Sequence, residues 1–279
     1  MKIGFLGLGQ MGRPMVDRLK SAGHSVRTYN RTPRSPDVAP APEQVLDAEV
    51  VITMLADDTA VRTVWLDSGL ARKLPAGAIH VNMATVSMAI SRELAALQKN
   101  YVAAPVFGRP PLAAQGQLDI IAAGPAQALE RCKPVFSALG KQTFVVGEDP
   151  AAANAVKIAR NFLLACLIES LGEAFALVRK CGVEPQKFLD VIGNTSLGSP
   201  AYKNYGKMIV EQAWKPAQFA MPLGVKDVEL ALSTARHAGM TLPLGEMIRA
   251  HLMDAIAAGR AEEDWAALAG HIAHRAGVK

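Results

Sequence analysis

Lys157 and Asn161 stand four residues apart in the run from Asp149 to Gly182, among Ala, Val, Ile and Phe. Four residues is one helical turn, so the pair shares a face. An ammonium and a carboxamide together on an apolar face suit proton transfer to an oxygen on which negative charge grows. Apolar surroundings also ease loss of the lysine's proton. An exposed lysine beside an asparagine has the same spacing, so the rest of the chain must decide.

A second group opens the chain. Lys2 to Leu6 is a short apolar run, and Gly7-Leu8-Gly9-Gln10-Met11-Gly12 follows it directly. Met15, Val16 and Leu19 then continue at helical spacing to Gly23. A G-x-G-x-x-G hexamer between a strand and a helix is a dinucleotide-binding pattern. Gly7 allows the tight turn, Gly9 lets backbone approach a pyrophosphate at the helix N-terminus, and Gly12 lets helix and strand pack closely. The expected second strand, Ser25 to Tyr29, leads into Asn30-Arg31-Thr32-Pro33-Arg34, with no acid before Asp37. A carboxylate there would hold an NAD ribose hydroxyl, whereas Arg31 can grip a 2′-phosphate. Asn30, Arg31 and Thr32 are therefore expected at the adenosine end of the cofactor, and the segment favours NADPH over NADH.

These residues need a scaffold. Strand signals at Glu49–Leu55, Ala78–Asn82, Tyr101–Ala104, Ile120–Ala123 and Thr143–Val146 alternate with helical ones. The helical stretches are Glu43–Ala48, Ala60–Leu66, a Ser87-capped run to about Asn100, and Gln127–Leu139. Pro33 to Pro42 reads as loop. The pattern predicts an α/β fold with a Rossmann-like doubly wound sheet over residues 1–149. After Asp149 only helical segments remain, so residues 150–279 are expected to be an all-α domain for substrate and oligomerisation. A long interdomain helix joins the two. Asp149 and Pro150 mark its start; Arg179, Lys180 and Gly182 mark its end. Gly172 inside it costs about 1 kcal/mol relative to Ala.

With 279 residues, half of them hydrophobic, the chain has ample core for two domains. A net charge of +5 without runs of Lys or Arg gives no reason to expect nucleic acid. Phe162 to Val178 is broken by Glu169 and Glu173 and reads as a buried helix, not a membrane span. Cys132, Cys166 and Cys181 form no Cys-x-x-Cys pair. An opening directly on a strand and an odd cysteine count lead us to expect a cytoplasmic protein without a signal peptide. His271 and His274, three apart in a polar tail, read as surface residues, so no metal is expected.

The chain resembles the β-hydroxyacid dehydrogenase family, relatives of 6-phosphogluconate dehydrogenase that include 3-hydroxyisobutyrate dehydrogenases and glyoxylate/succinic semialdehyde reductases. The resemblance spans nearly the whole chain. It rests on Gly7–Gly12, Thr53-Met54-Leu55, Asn82-Met83-Ala84-Thr85-Val86-Ser87, Ala104-Pro105-Val106-Phe107-Gly108-Arg109, the Lys157/Asn161 pair, and Phe219 with Lys226-Asp227. It implies hydride transfer between NADP(H) and a small carbonyl or hydroxyacid, with Lys157 catalytic and Asn161 beside it. It also implies that Leu55, Thr85, Phe219 and Lys226 contact the cofactor, that Phe107, Gly108 and Arg109 form the substrate loop, and that the chain is a homodimer or homotetramer. The loop departs from the family's Ala-Pro-Val-Ser-Gly-Gly at Phe107 and Arg109. Either Arg109 replaces the family's carboxylate anchor, or the pocket accepts something less polar. Two other readings are an imine reductase or reductive aminase, which usually lacks the lysine, and a non-catalytic NADPH-binding module, which often loses it.

Overall fold

The structure, a computed structural model, describes residues 1–32 and 38–278. Arg34 and Asp37 of the segment after the second strand lie outside the described residues. Two compact units separate, Met1–Lys157 and Ile158–Lys279.

In the first unit eight strands form one sheet: β1 (Lys2–Leu6), β2 (Ser25–Tyr29), β3 (Val50–Thr53), β4 (Ile79–Asn82), β5 (Tyr101–Ala103), β6 (Val106–Phe107), β7 (Leu118–Ala123) and β8 (Gly140–Gly147). Their order is β2-β1-β3-β4-β5-β7-β6, with β8 also on β7. β1 to β5 pair in parallel. Strand order reverses between β1 and β3, the switch point where such sheets bind ligands beyond the carboxyl ends of the strands. The helices of this unit are α1 (Gly12–Ser21), α2 (Asp58–Val61), α3 (Leu70–Lys73), α4 (Met88–Leu97), α5 (Pro110–Ala114) and α6 (Ala126–Leu139).

β1, β3, β4 and β5 are buried almost throughout because both faces of the central sheet are covered, whereas β2 and β8 are largely exposed. Ile3 and Phe5 point to one side, with Ile52, Val81 and α1 residues Met15 and Leu19. Leu6 and Val51 point to the other, with Trp65 and Leu94. The structure departs from the sequence reading in places. The Glu43–Ala48 helix is only a 3-10 turn over Pro42–Val45, which opens on Pro42 two residues after Pro40. β6 and α5 were not expected, since two residues carry no periodicity and Pro110-Pro111 resembles a loop. Proline is nevertheless tolerated at the first helical positions, where amides need no partner. β6 runs in the direction of β5, and the chain reverses through α5, so β7 runs antiparallel to β5 and β6.

In the second unit the elements are helical: α7 (Pro150–Lys180), which begins in the first unit, α8 (Pro185–Gly193), α9 (Pro200–Glu211), α10 (Met221–His237), α11 (Pro243–Ala255) and α12 (Leu268–Arg275). Asp149 Oδ1 accepts from the Ala151 amide at 3.0 Å, and Gly182 adopts φ +75° past the C-terminus. At 31 residues α7 is about 46 Å long. By length and composition it would suffice to cross a membrane, yet Ala165, Ile168, Leu171 and Phe175 are buried in this unit's core with Tyr205, Leu232, Leu252 and Trp265. Gly172 is where α12 crosses α7: a Cβ there would sit 2.9 Å from Ala269 Cα and from Ile272 Cδ1. His271 corrects a sequence expectation. The tail folds into α12 and buries it at 7% exposure, while His274 stays exposed.

Candidate active site

Beyond β1, Gly7 adopts φ +103°, and a Cβ there would lie 2.2 Å from the Met54 carbonyl oxygen. A Cβ on Gly12 would lie 1.9 Å from the Gly7 oxygen. Both glycines are therefore demanded by the chain's own packing. Gly9 is different: it is exposed, and a Cβ there would meet nothing of the chain within 4 Å. The space it keeps clear is open, as a close-approaching ligand requires. Gln10 is exposed beside it and Met11 half-buried. No acidic residue stands in the first turn of α1, so the positive end of its dipole is unopposed there. The loop fits a pyrophosphate.

Asn30 holds this loop in shape. Its Oδ1 accepts from the Leu8 amide at 2.9 Å, and its Nδ2 donates to the Thr32 carbonyl at 2.7 Å. The Leu8 backbone donor is thus engaged within the chain. Arg31 and Thr32 are exposed at the end of β2. Leu55 and Thr85, each half-buried, follow the carboxyl ends of β3 and β4.

Those strand ends rest on a buried network that sequence patterns did not reveal. Gln98 Nε2 donates to the Ala71 carbonyl at 3.2 Å, which leaves Oε1 as the acceptor. Trp65 Nε1 donates to that oxygen at 3.3 Å and His80 Nδ1 at 2.7 Å. His80 is then the Nδ1-protonated tautomer, so Nε2 accepts from Thr53 Oγ1 at 2.9 Å. Burial pushes the His80 imidazole down to about 3, the Gln98 bond opposing it. The segment after β4 is fixed separately. Asn82 Oδ1 accepts from the Ala84 amide at 3.0 Å, and Asn154 Nδ2, on α7, donates to the Val86 carbonyl at 3.3 Å.

Lys157 lies one turn beyond Asn154 on α7 and is only 8% exposed. Its Nζ donates to the Val106 carbonyl at 2.8 Å and lies 4.8 Å from the Phe107 ring centroid. Burying an ammonium is costly unless it is compensated. A charge-assisted hydrogen bond supplies roughly 1.5–3 kcal/mol. The negative face of an aromatic ring adds about 0.5–2 kcal/mol. Gly108, with φ +142°, and half-buried Arg109 follow in the same loop.

In the second unit Asn161 is 6% exposed, and its Nδ2 donates to Asp227 Oδ2 at 2.6 Å. Lys226 Nζ stands 3.2 Å from Asp227 Oδ1. The 3% exposed Asp227 therefore sets the orientation of the Asn161 amide. Phe219 packs edge-on against Trp265 at 4.9 Å. Asp264, which sequence reading passed over, fixes that turn: its Oδ2 accepts from the Gln218 and Phe219 amides at 3.2 and 3.1 Å. Its position 45 residues from Phe219 left no local signal. Among the described residues no cluster of three His, Cys, Asp or Glu could hold a metal.

Residues 2–147 match the model of the NAD-binding domain of 6-phosphogluconate dehydrogenase. Residues 151–272 match that of the NAD-binding region of NADP-dependent 3-hydroxyisobutyrate dehydrogenase. The uncharacterised oxidoreductase YfjR of Bacillus subtilis is 42% identical, over 96% of this chain and 98% of its own. The 2-(hydroxymethyl)glutarate dehydrogenase of Eubacterium barkeri is 32% identical, over 96% and 93%. A Mycobacterium tuberculosis 3-hydroxyisobutyrate dehydrogenase, solved with L-serine, superposes with a TM-score of 0.87 at 28% identity, covering 96% of this chain and 97% of that one. With a nucleotide-ready glycine loop at the switch point and matches along nearly its whole length, the chain belongs to the β-hydroxyacid dehydrogenase family and is an NAD(P)-dependent oxidoreductase.

Proposed function

We propose that the enzyme transfers hydride reversibly between NADP(H) and a small aldehyde, keto acid or β-hydroxyacid, with Lys157 as proton donor in reduction and acceptor in oxidation. The observation that carries this reading is the buried Lys157 ammonium, held 2.8 Å from the Val106 carbonyl. When bound, the nicotinamide cofactor supplies the hydride. The chain's residues do the rest. The loop Gly7–Gly12 and the N-terminus of α1 receive the pyrophosphate, Arg31 the 2′-phosphate, and Leu55 and Thr85 line the strand ends toward the nicotinamide. Lys157 stabilises negative charge as it grows on the substrate oxygen and delivers the proton. Asn161, its Nδ2 committed to Asp227, keeps its Oδ1 as the acceptor for a substrate hydroxyl. An iminium substrate already carries positive charge and has no need of a cationic donor, so the lysine favours carbonyl chemistry.

We place the protein in the cytoplasm and infer assembly as a homodimer or homotetramer through the helical unit. Leu163 and Leu177 on α7 support assembly: they are 66% and 64% exposed and fourteen residues apart, so they share one face. Light scattering at micromolar concentration giving one chain mass would refute assembly. The activity itself is tested by NADPH oxidation with glyoxylate, succinic semialdehyde, tartronate semialdehyde and uncharged aldehydes. Turnover of at least one is expected; cofactor binding without turnover of any would leave a non-catalytic module.

A further inference from the structure

Three features of the substrate loop face the same chemistry. Val106 offers its carbonyl oxygen to Lys157, and Phe107 offers the face of its ring to the same ammonium. Gly108 offers no side chain and can accept none. Its φ is +142°, and a Cβ there would lie 2.6 Å from Leu118 Cδ2 and 3.5 Å from Leu112 Cβ. From Val106 to Gly108 the loop therefore presents an acceptor, an aromatic face and bare backbone, with no side-chain donor. β6 holds this arrangement through its pairing of Val106 with Ile120 and Phe107 with Asp119.

A carboxylate needs donors, and the face of an aromatic ring carries partial negative charge. An anionic group placed against Phe107 would lose water and gain no hydrogen bond from the ring. An uncharged aryl or branched alkyl group would instead bury apolar area there. We propose that Phe107 is a specificity-determining residue, and that the site takes aldehydes or ketones whose carbonyl carries an uncharged apolar substituent in preference to those bearing a carboxylate. This rests on the hydride-transfer reading and narrows it to a substrate class. Arg109 follows directly at the start of α5, so its charge is kept in every variant below.

The test compares kcat/KM, by NADPH oxidation, for phenylacetaldehyde and isobutyraldehyde against glyoxylate and succinic semialdehyde. The wild type is expected to favour the uncharged pair by about tenfold, the scale of one apolar pocket contact. Phe107→Ser restores a hydroxyl and removes the ring, and should move the ratio toward the carboxylates by at least about tenfold. Phe107→Leu keeps an uncharged wall and should retain the preference. NADPH titration by fluorescence shows in each variant that the cofactor domain is folded. A wild-type ratio at or below one, or a ratio unchanged in Phe107→Ser, overturns the proposal while leaving hydride transfer intact. Loss of the preference in Phe107→Leu overturns the apolar-wall argument too. If the wild type binds NADPH and reduces none of the four, the reading beneath it fails, and that outcome is distinct from the others.

Discussion

The Lys157 ammonium and the Val106 carbonyl are joined by a 2.8 Å hydrogen bond between residues 51 apart in sequence. The bond ties the first turns of a long helix to a two-residue strand at the sheet edge. The ammonium thus has a fixed position before any substrate arrives, and such preorganisation is what makes electrostatic stabilisation effective.

Removing the charge should therefore remove turnover. Lys157→Met keeps the apolar stem along α7 and deletes the ammonium. A loss on the order of 10²–10⁴ in kcat is expected on the best carbonyl substrate. NADPH affinity, read by fluorescence titration, should change little if this lysine serves the substrate oxygen as proposed. Lys157→Arg should not rescue, since guanidinium does not give up its proton near neutral pH. Near-native turnover in Lys157→Met, with folding and cofactor binding intact, would sink the mechanism.

His80 should make the fold acid-sensitive. Burial lowers its folded pKa to about 3, whereas an unfolded histidine titrates near 6.5. Between those values the unfolded chain takes up a proton that the folded chain refuses. The contribution is fully present above about pH 6.5 and is lost as pH falls toward 3, at up to ~1.4 kcal/mol per unit. Urea midpoints measured from pH 7 to 4 should fall more steeply for the wild type than for His80→Gln. Glu169 acts in the opposite sense: its carboxyl is raised by burial, with the His251 contact opposing, so protonation there favours the folded state. The comparison between wild type and variant isolates the histidine. Parallel slopes would show that His80 is not the group responsible.

Gly172→Ala sets two effects against each other. Alanine is better than glycine inside a helix by about 1 kcal/mol. Against this, its Cβ would meet the Ala269 backbone at 2.9 Å, and overpacking of that kind costs about 1–3 kcal/mol. Because backbone cannot swing aside as a side chain can, a net loss of stability is expected, seen as a lower Tm. An unchanged or raised Tm would mean that α12 shifts freely on α7.

The same glycine shows where sequence reading ends. The helix caps at Ser87 and Asp149, the Gly182 terminus and the Gly7–Gly12 loop were legible because each is written within a few neighbouring residues. Gly172 looked like a helical weakness because Ala269, which explains it, lies far along the chain. The Asn161–Asp227 bond spans 66 residues, and the clamp of Asp264 on Phe219 spans 45. His271 looked like part of a surface tail until α12 buried it. The Lys157/Asn161 spacing pointed to a candidate site, but only the fold could place Phe107 against the ammonium.

Cofactor choice gives the last prediction. Asn30 spends its side chain on the Leu8 amide and the Thr32 carbonyl, so it shapes the turn after β2 and leaves charge recognition to its neighbours. Arg31 stands exposed directly after it, a guanidinium able to grip a 2′-phosphate in bidentate fashion. Titration of the wild type by nicotinamide fluorescence should show tighter binding of NADPH than of NADH. Arg31→Asp should weaken NADPH by about 1–3 kcal/mol, the scale of a charge-assisted hydrogen bond. The new carboxylate would repel the 2′-phosphate but can accept from a ribose 2′-hydroxyl, so NADH binding should hold or improve and the preference should invert. Because Arg31 is an exposed residue, the thermal stability of the empty protein should stay within about 0.5 kcal/mol of wild type, which separates recognition from folding. Wild-type protein binding NADH as tightly as NADPH, or an Arg31→Asp variant with unchanged NADPH affinity, would remove this arginine from the cofactor site.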